Sequence, residues 1–403
     1  MTDIILIGLN GGNPLAYLAA LGAFRTSSLQ WPKVATRMDW VQDPGGWHPR
    51  LNLGIEMSED EWLVGISSAL RSMVGHPALA LADDLAIPCA HFRNAALAAQ
   101  TAAKPKDRCF ADFIAAFGSE IVETKENGKT TGKISDTAFR TMSGSGHQHF
   151  FETMRSFVND TESIHLRKAV FAPWYYDDPI EKHTMRWDPI DEIRYALQWR
   201  NPSGDPERKE GGSVWGANRL AIEALPLLPT APRGKDLETT GFTQRREQGV
   251  AWTWPTWSGA LSLDTVRSLL ALPALQEQSP DRKKLGAIGV VEIYRCQRIT
   301  QGKFRNFSPA LPPELHRKLK EQAAQHHRSM TKEALALLDR ALGGRKSIDG
   351  IDGHPASIRG TLSVDGQAHR TSPARRATRI GTGCRLVRSA GRFQCTPARE
   401  YAR

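Results

Sequence analysis

The sequence predicts an α+β protein: a mixed α/β body over residues 1–310, a helical hairpin over 311–344 and an unstructured basic tail over 345–403. Three observations carry this. In the first 310 residues, short apolar runs with β-branched residues alternate with stripes at helical spacing. From Leu311 onward only helical spacing remains, and after residue 344 large apolar residues thin out and all periodicity is lost. A chain of 403 residues is also long enough for more than one folding unit.

The body opens on Ile4-Ile5-Leu6-Ile7, which reads as a buried strand, and then meets the tight turn Gly8-Leu9-Asn10-Gly11-Gly12. Asn13 is a good N-cap and Pro14 suits the first helical position, with Leu15, Leu18, Leu21 and Gly22 forming a stripe. This strand-turn-helix invites a nucleotide-binding reading, but the glycines do not fit Gly-x-Gly-x-x-Gly and no Lys-Ser/Thr follows, so packing of a small-residue helix on a sheet is the expectation. Ser58-Glu59-Asp60-Glu61 is a capping box that starts a helix running to about Met73. Residues 123–134 read as a polar hairpin or loop and residues 201–213 as a long polar connection. Ser262 to Leu272 reads as a helix, and Ala287 to Tyr294 as a core strand.

The charge is placed unevenly. Of the 53 basic and 43 acidic residues, 12 and 4 lie in residues 345–403, 6 and 4 in 311–344, and 35 of each in 1–310. The body is formally neutral, so the basic excess implies no nucleic-acid surface there unless its charges segregate in space. The tail's charge implies weak, salt-sensitive attraction to nucleic acid. The five cysteines are scattered, without a Cys-x-x-Cys pair, which points to a reduced compartment and against a zinc site. No run approaches the roughly 18 apolar residues of a membrane span, and no export signal is evident, so a cytoplasmic protein without membrane contact is expected.

Several constellations bear on chemistry. His147 and His149 form a His-x-His pair that, on a strand, would face one way and begin a metal site, yet no third ligand can be chosen. Asp177, Asp178, Asp188 and Asp191 offer carboxylates for magnesium, but the prolines after Asp178 and Asp188 suggest turn chemistry. Ser143 and Ser145 lack a Gly-x-Ser-x-Gly setting. No catalytic residue, cofactor or metal is therefore assigned. Trp174, Trp187, Trp199, Trp215, Trp252, Trp254 and Trp257 crowd the middle of the body, either as a core or as stacking platforms for bases. In the run from Tyr294 to Phe307, alternate positions of a strand or extended loop could place Arg298, Lys303 and Arg305 beside Phe304 and Phe307, and with Arg295 these make a candidate nucleic-acid-binding patch.

Two segments resemble known families. Gly8 to Gly22, Trp215-Gly216-Ala217-Asn218-Arg219-Leu220-Ala221 and the Tyr294–Phe307 run together resemble the helicase-extension family of type I-G (I-U) CRISPR systems. That resemblance implies a nonenzymatic accessory or large-subunit-like component of an antiviral defence system, with effector subunits or the helicase-nuclease as partners and RNA or DNA as ligand. Leu311-Pro312-Pro313-Glu314-Leu315-His316-Arg317-Lys318-Leu319-Lys320, followed by Arg328-Ser329 and Glu333-Ala334-Leu335, resembles the Arc-type ribbon-helix-helix segment of antitoxins and small repressors. It implies a DNA-binding regulator that pairs as a homodimer through residues 311–344. Arg328, Ser329 and Lys332 would then lie at a phosphate-binding second helix. Leu315, Leu319 and Ala323 share one face of the first helix. Ser308-Pro309-Ala310 stands where the family's strand would lie, and Pro309 lacks the donor that a ladder needs. A metal-dependent hydrolase using His147 and His149 is the reading from a third class.

Overall fold

The computed structural model describes residues 2–104, 107–142, 149–179, 184–191, 212–245, 249–301 and 304–326, together with Glu333, Ala336 and Leu337. All belong to one compact unit, Met1–Gly343. The tail expected to be unstructured, residues 345–403, lies outside the described residues, as does most of the connection at 201–213. The architecture is α+β.

Strand β1 (Thr2–Ile5) pairs with β3 (Gly46–Leu53), which pairs with β2 (Arg37–Asp43) in an antiparallel sheet of order β1-β3-β2. The opening run is not a buried strand. Ile4 and Leu6 are buried, whereas Ile5 and Ile7 are exposed, the alternation of a sheet edge with one wet face. Helix α1 (Pro14–Gln30) follows the turn, and Asn13 Oδ1 accepts from the amides of Leu15 and Ala16 as the cap predicts. Its burial goes beyond a stripe, because every residue from Pro14 to Ser27 is buried. Helix α2 (Glu59–Arg71) carries the expected capping box, with Ser58 and Glu61 exchanging hydrogen bonds.

Helices α3 (Cys89–Ala102) and α4 (Cys109–Phe117) lead into a hairpin of β4 (Gly118–Glu126) and β5 (Lys129–Asp136). Its turn is Asn127-Gly128, both at positive φ, the pair that matches the twist of a two-residue connection. After α5 (Phe150–Asp160) and α6 (Ser163–Phe171), helix α7 (Trp215–Ala224) lies against α1. A Cβ on Gly22 would fall 1.8 Å from the Leu220 carbonyl oxygen, so only glycine allows this crossing.

The hairpin β6 (Thr230–Arg233) and β7 (Asp236–Thr239) precedes a second antiparallel sheet of four strands. Its members are β8 (Phe242–Arg245), β9 (Gly249–Trp257), β10 (Val290–Gln301) and β11 (Phe304–Phe307), in the order β11-β10-β9-β8. The helix expected at 262–272 is α8 (Leu263–Leu270), capped by Ser262. The strand expected from Ala287 starts later, because Arg282–Ala287 forms helix α9 and Gly289 turns the chain at φ 90°. Helix α10 (Pro313–Gln325) follows β11.

The tryptophans fill the core. Trp62, Trp187, Trp252, Trp254 and Trp257 are fully buried, and Tyr17 of α1 stacks on Trp40 with ring centres 5.4 Å apart. A buried indole N–H needs an acceptor, and four have one. Trp62 bonds Ser27 Oγ, and Trp187, Trp254 and Trp257 bond the carbonyls of Phe139, Gly11 and Met38. The stacking-platform reading therefore does not hold for these rings. Among the described residues no helix is long and apolar enough to cross a membrane.

Candidate nucleic-acid interface

The glycine turn at the start of the body has no capacity left for a phosphate. Gly8 N donates to Val170 O at 2.9 Å, Gly11 N to Trp47 O at 2.7 Å and Gly12 N to Asn10 Oδ1 at 2.8 Å. A Cβ on Gly8 would lie 2.4 Å from the Ala169 carbonyl oxygen, and one on Gly11 2.9 Å from the Trp40 ring. Glycine is required here by close packing, and the amides that would cradle an anion are spent on the chain itself.

The aspartates are likewise engaged in local structure. Asp178 accepts from the Trp215 amide at 2.9 Å, Asp188 from Asn13 Nδ2 at 3.2 Å and Tyr176 Oη at 3.0 Å, and Asp191 from Thr184 Oγ1 at 2.8 Å. The hydrogen bond from Lys168 holds the Asp177 carboxyl below its usual range. Among the described residues no group of three or more His, Cys, Asp or Glu side chains is placed to hold a metal ion. His147, Ser143 and Ser145 lie outside the described residues, and His149 precedes α5 with its Nδ1 buried and unbonded.

The β10–β11 patch divides according to which face of the sheet each residue takes. Arg295 sits on one face, and its guanidinium is buried. Nε donates to Thr253 Oγ1 at 2.8 Å, Nη1 to Gln278 O at 3.0 Å and Nη2 to Glu277 O at 2.6 Å. These bonds fasten the turn after Pro273–Gln276 to the sheet and leave Arg295 a structural role in place of the expected nucleic-acid contact. Phe307 takes the other face, fully buried, with Trp252 5.9 Å and Phe242 6.1 Å from its ring centre. A ring enclosed in this way cannot stack on a base, which corrects its expected role. The side chain of Phe304 and all of Lys303, Arg328, Ser329 and Lys332 lie outside the described residues.

Arg298 and Arg305 remain. In the register Arg298 faces Phe307 and Thr300 faces Arg305, so the two arginines are diagonal neighbours on one face, with backbones about 7–8 Å apart. Arg298 Nη2 donates to the carbonyl of Arg140, while its Nε is buried without an acceptor. Arg140 holds both nearby carboxylates, Asp84 and Asp136. Burial first, and the Arg305 cation next, push Arg298 down to about 9. Arg140 itself carries no sequence signal that would have drawn it to this spot.

The chain beyond β11 stays on the sheet. Ser308 N donates to Gln297 O at 2.9 Å, and Arg295 and Leu311 exchange backbone bonds of 2.9 and 3.0 Å. Pro309 interrupts the pairing between them, as its missing N–H requires. In α10, Leu319 and Ala323 are buried but Leu315 is 52% exposed, so the shared apolar face is only partly covered. Arg282 links α9 to Glu314 of α10 at 3.3 Å.

A sequence family described as antitoxin FitA-like, ribbon-helix-helix, matches residues 310–342. No curated protein and no solved structure matches the chain. The segment that carries α10 is therefore similar to the ribbon-helix-helix of FitA-like antitoxins.

Proposed function

We propose that the chain is a nonenzymatic nucleic-acid-binding protein in which residues 310–342 contact DNA and the tryptophan-cored body carries them. The match of that segment to the FitA-like ribbon-helix-helix family is the observation that carries the reading. In this family of folds two chains meet and present a strand pair to the major groove. The bonded path from β11 through Leu311 supports a segment fastened to the body at its N-terminal end.

The test compares the full chain with one ending at Pro309 in binding to duplex DNA, with circular dichroism as the folding control. The expected result is at least a tenfold loss of affinity on truncation. A truncated chain that kept full affinity would remove the reading. For the body's own partner we carry a finer reading, an accessory component of a type I CRISPR system that meets effector subunits or the helicase-nuclease. Its support is the Gly8–Gly22 motif and the Tyr294–Phe307 run; coexpression with such effector subunits that yields no copurified complex would sink it.

A further inference from the structure

Among the described residues, the body holds a cationic cluster whose arginines outnumber the carboxylates beside them. Arg140, Arg298 and Arg305 converge where β5 and the edge of the four-stranded sheet meet, and the two carboxylates at hand, Asp84 and Asp136, are both bonded to Arg140. Arg298 gives one donor to the Arg140 carbonyl and keeps Nε sealed without an acceptor. Arg305, half-buried on β11, has no carboxylate partner among the described residues.

Like charges set on adjacent strands repel, and a buried guanidinium nitrogen without an acceptor forfeits hydration that nothing replaces. The downward push on Arg298 is the electrostatic counterpart of that geometry. Groups held in such a state are concentrated at sites where a ligand supplies the missing charge. The planar fork of arginine, with its several N–H donors, suits the tetrahedral oxygens of a phosphate better than it suits a single carbonyl.

We propose that Arg298 and Arg305 form a phosphate-binding site on the body that takes a backbone phosphate of a bound nucleic acid. The source of the phosphate rests on the nucleic-acid reading given above, whereas the site itself does not. The site also lies on β10 and β11, the strands that lead directly into the matched segment, so one nucleic acid held there would continue toward residues 310–342.

The experiment uses the full chain and three variants: Arg305→Ala, Arg298→Lys and, as a surface control, Arg233→Ala. In the first arm the probe is inorganic phosphate, titrated against chloride at matched ionic strength and read by thermal unfolding. The wild type and Arg233→Ala are expected to gain about 2 °C or more in phosphate, while Arg305→Ala and Arg298→Lys lose that gain. No gain in the wild type, or an equal gain in Arg305→Ala, overturns the site. In the second arm an oligonucleotide is titrated at several salt concentrations. Arg305→Ala is expected to lower the slope of log affinity against log salt by about 0.7–0.9, the share of one phosphate contact. A phosphate effect with an unchanged slope overturns the nucleic-acid source. A full chain that binds no oligonucleotide yet keeps its phosphate shift would reject the proposed function while leaving the phosphate site standing, so the two failures are distinguishable.

Discussion

Two arginine clusters in this body have opposite balances. At the crossing of α1 and α7, Arg25 and Arg219 share Glu223, with Arg25 Nη1 at 2.8 Å from Oε2 and Arg219 Nη1 at 2.9 Å from Oε1. Their remaining donors reach Cys109 Sγ and the Leu70 carbonyl, and the Arg25 guanidinium sits over the Phe113 ring. All three side chains are buried nearly completely. At the sheet edge, Arg140 takes both carboxylates, and Arg298 and Arg305 have none among the described residues. Burial alone therefore does not distinguish the two clusters; the ratio of donors to available acceptors does. The first cluster is a cross-brace for two helices, and in the second the cations outnumber the carboxylates among the described residues.

The comparison would break most visibly at Glu223. Glu223→Ala leaves two guanidinium groups in the core with no carboxylate, and its expected cost is about 3–5 kcal/mol. Urea unfolding measures it as a lower midpoint at unchanged slope. A loss under about 1 kcal/mol would mean that water reaches these arginines, and the contrast between the clusters would dissolve.

The same crossing yields a second, smaller expectation. Gly22→Ala places a methyl where the Leu220 carbonyl oxygen stands, so α1 and α7 must move apart, at an expected cost of about 2–3 kcal/mol. Thermal unfolding would show the loss, and Glu223 would then contribute less because its partner on α1 is displaced. A Gly22→Ala chain with unchanged stability would mean that the braced crossing is looser than its geometry requires.

Local signals were legible in the sequence, and long-range partners were not. The Asn13 cap and the Ser58–Glu61 box act within a few residues, and each is where the chain alone places it. Alternation along β10 and β11 suggested a single patch of arginines and phenylalanines, but it could not say which of these residues meet the core. That depended on the segment at 275–278 covering Arg295 and on Trp252 and Phe242 enclosing Phe307. Arg219 and Glu223 are a visible i,i+4 pair, whereas Arg25 lies 198 residues away and Arg140 lies 158 residues from Arg298. Helix α1 read as a stripe because its leucines are spaced that way; its alanines are buried as well, and small side chains do not announce their burial.

The smallest expected effect has the opposite sign and sharpens the comparison furthest. Arg298→Met keeps an unbranched chain of similar reach, gives up one hydrogen bond to the Arg140 carbonyl, and removes a cation opposed by Arg305 and Arg140. The lost bond costs about 1 kcal/mol, and relief of desolvation and repulsion exceeds it, so the variant is expected to be more stable by about 1 kcal/mol at neutral pH. The pH dependence fixes the cause. Arg298 has a lower proton affinity in the folded chain, about 9, than in the unfolded chain. Below pH 9 both states carry the proton and the folded state bears the whole penalty. As pH rises through 9 the folded state alone releases it, so wild-type stability gains relative to the variant. The gap between Arg298→Met and wild type should therefore be widest at pH 7 and narrow by pH 10, measured as the difference in urea midpoints. A variant less stable than wild type at pH 7 would make Arg298 a satisfied anchor like Arg219, and the excess charge at the sheet edge would lose its meaning.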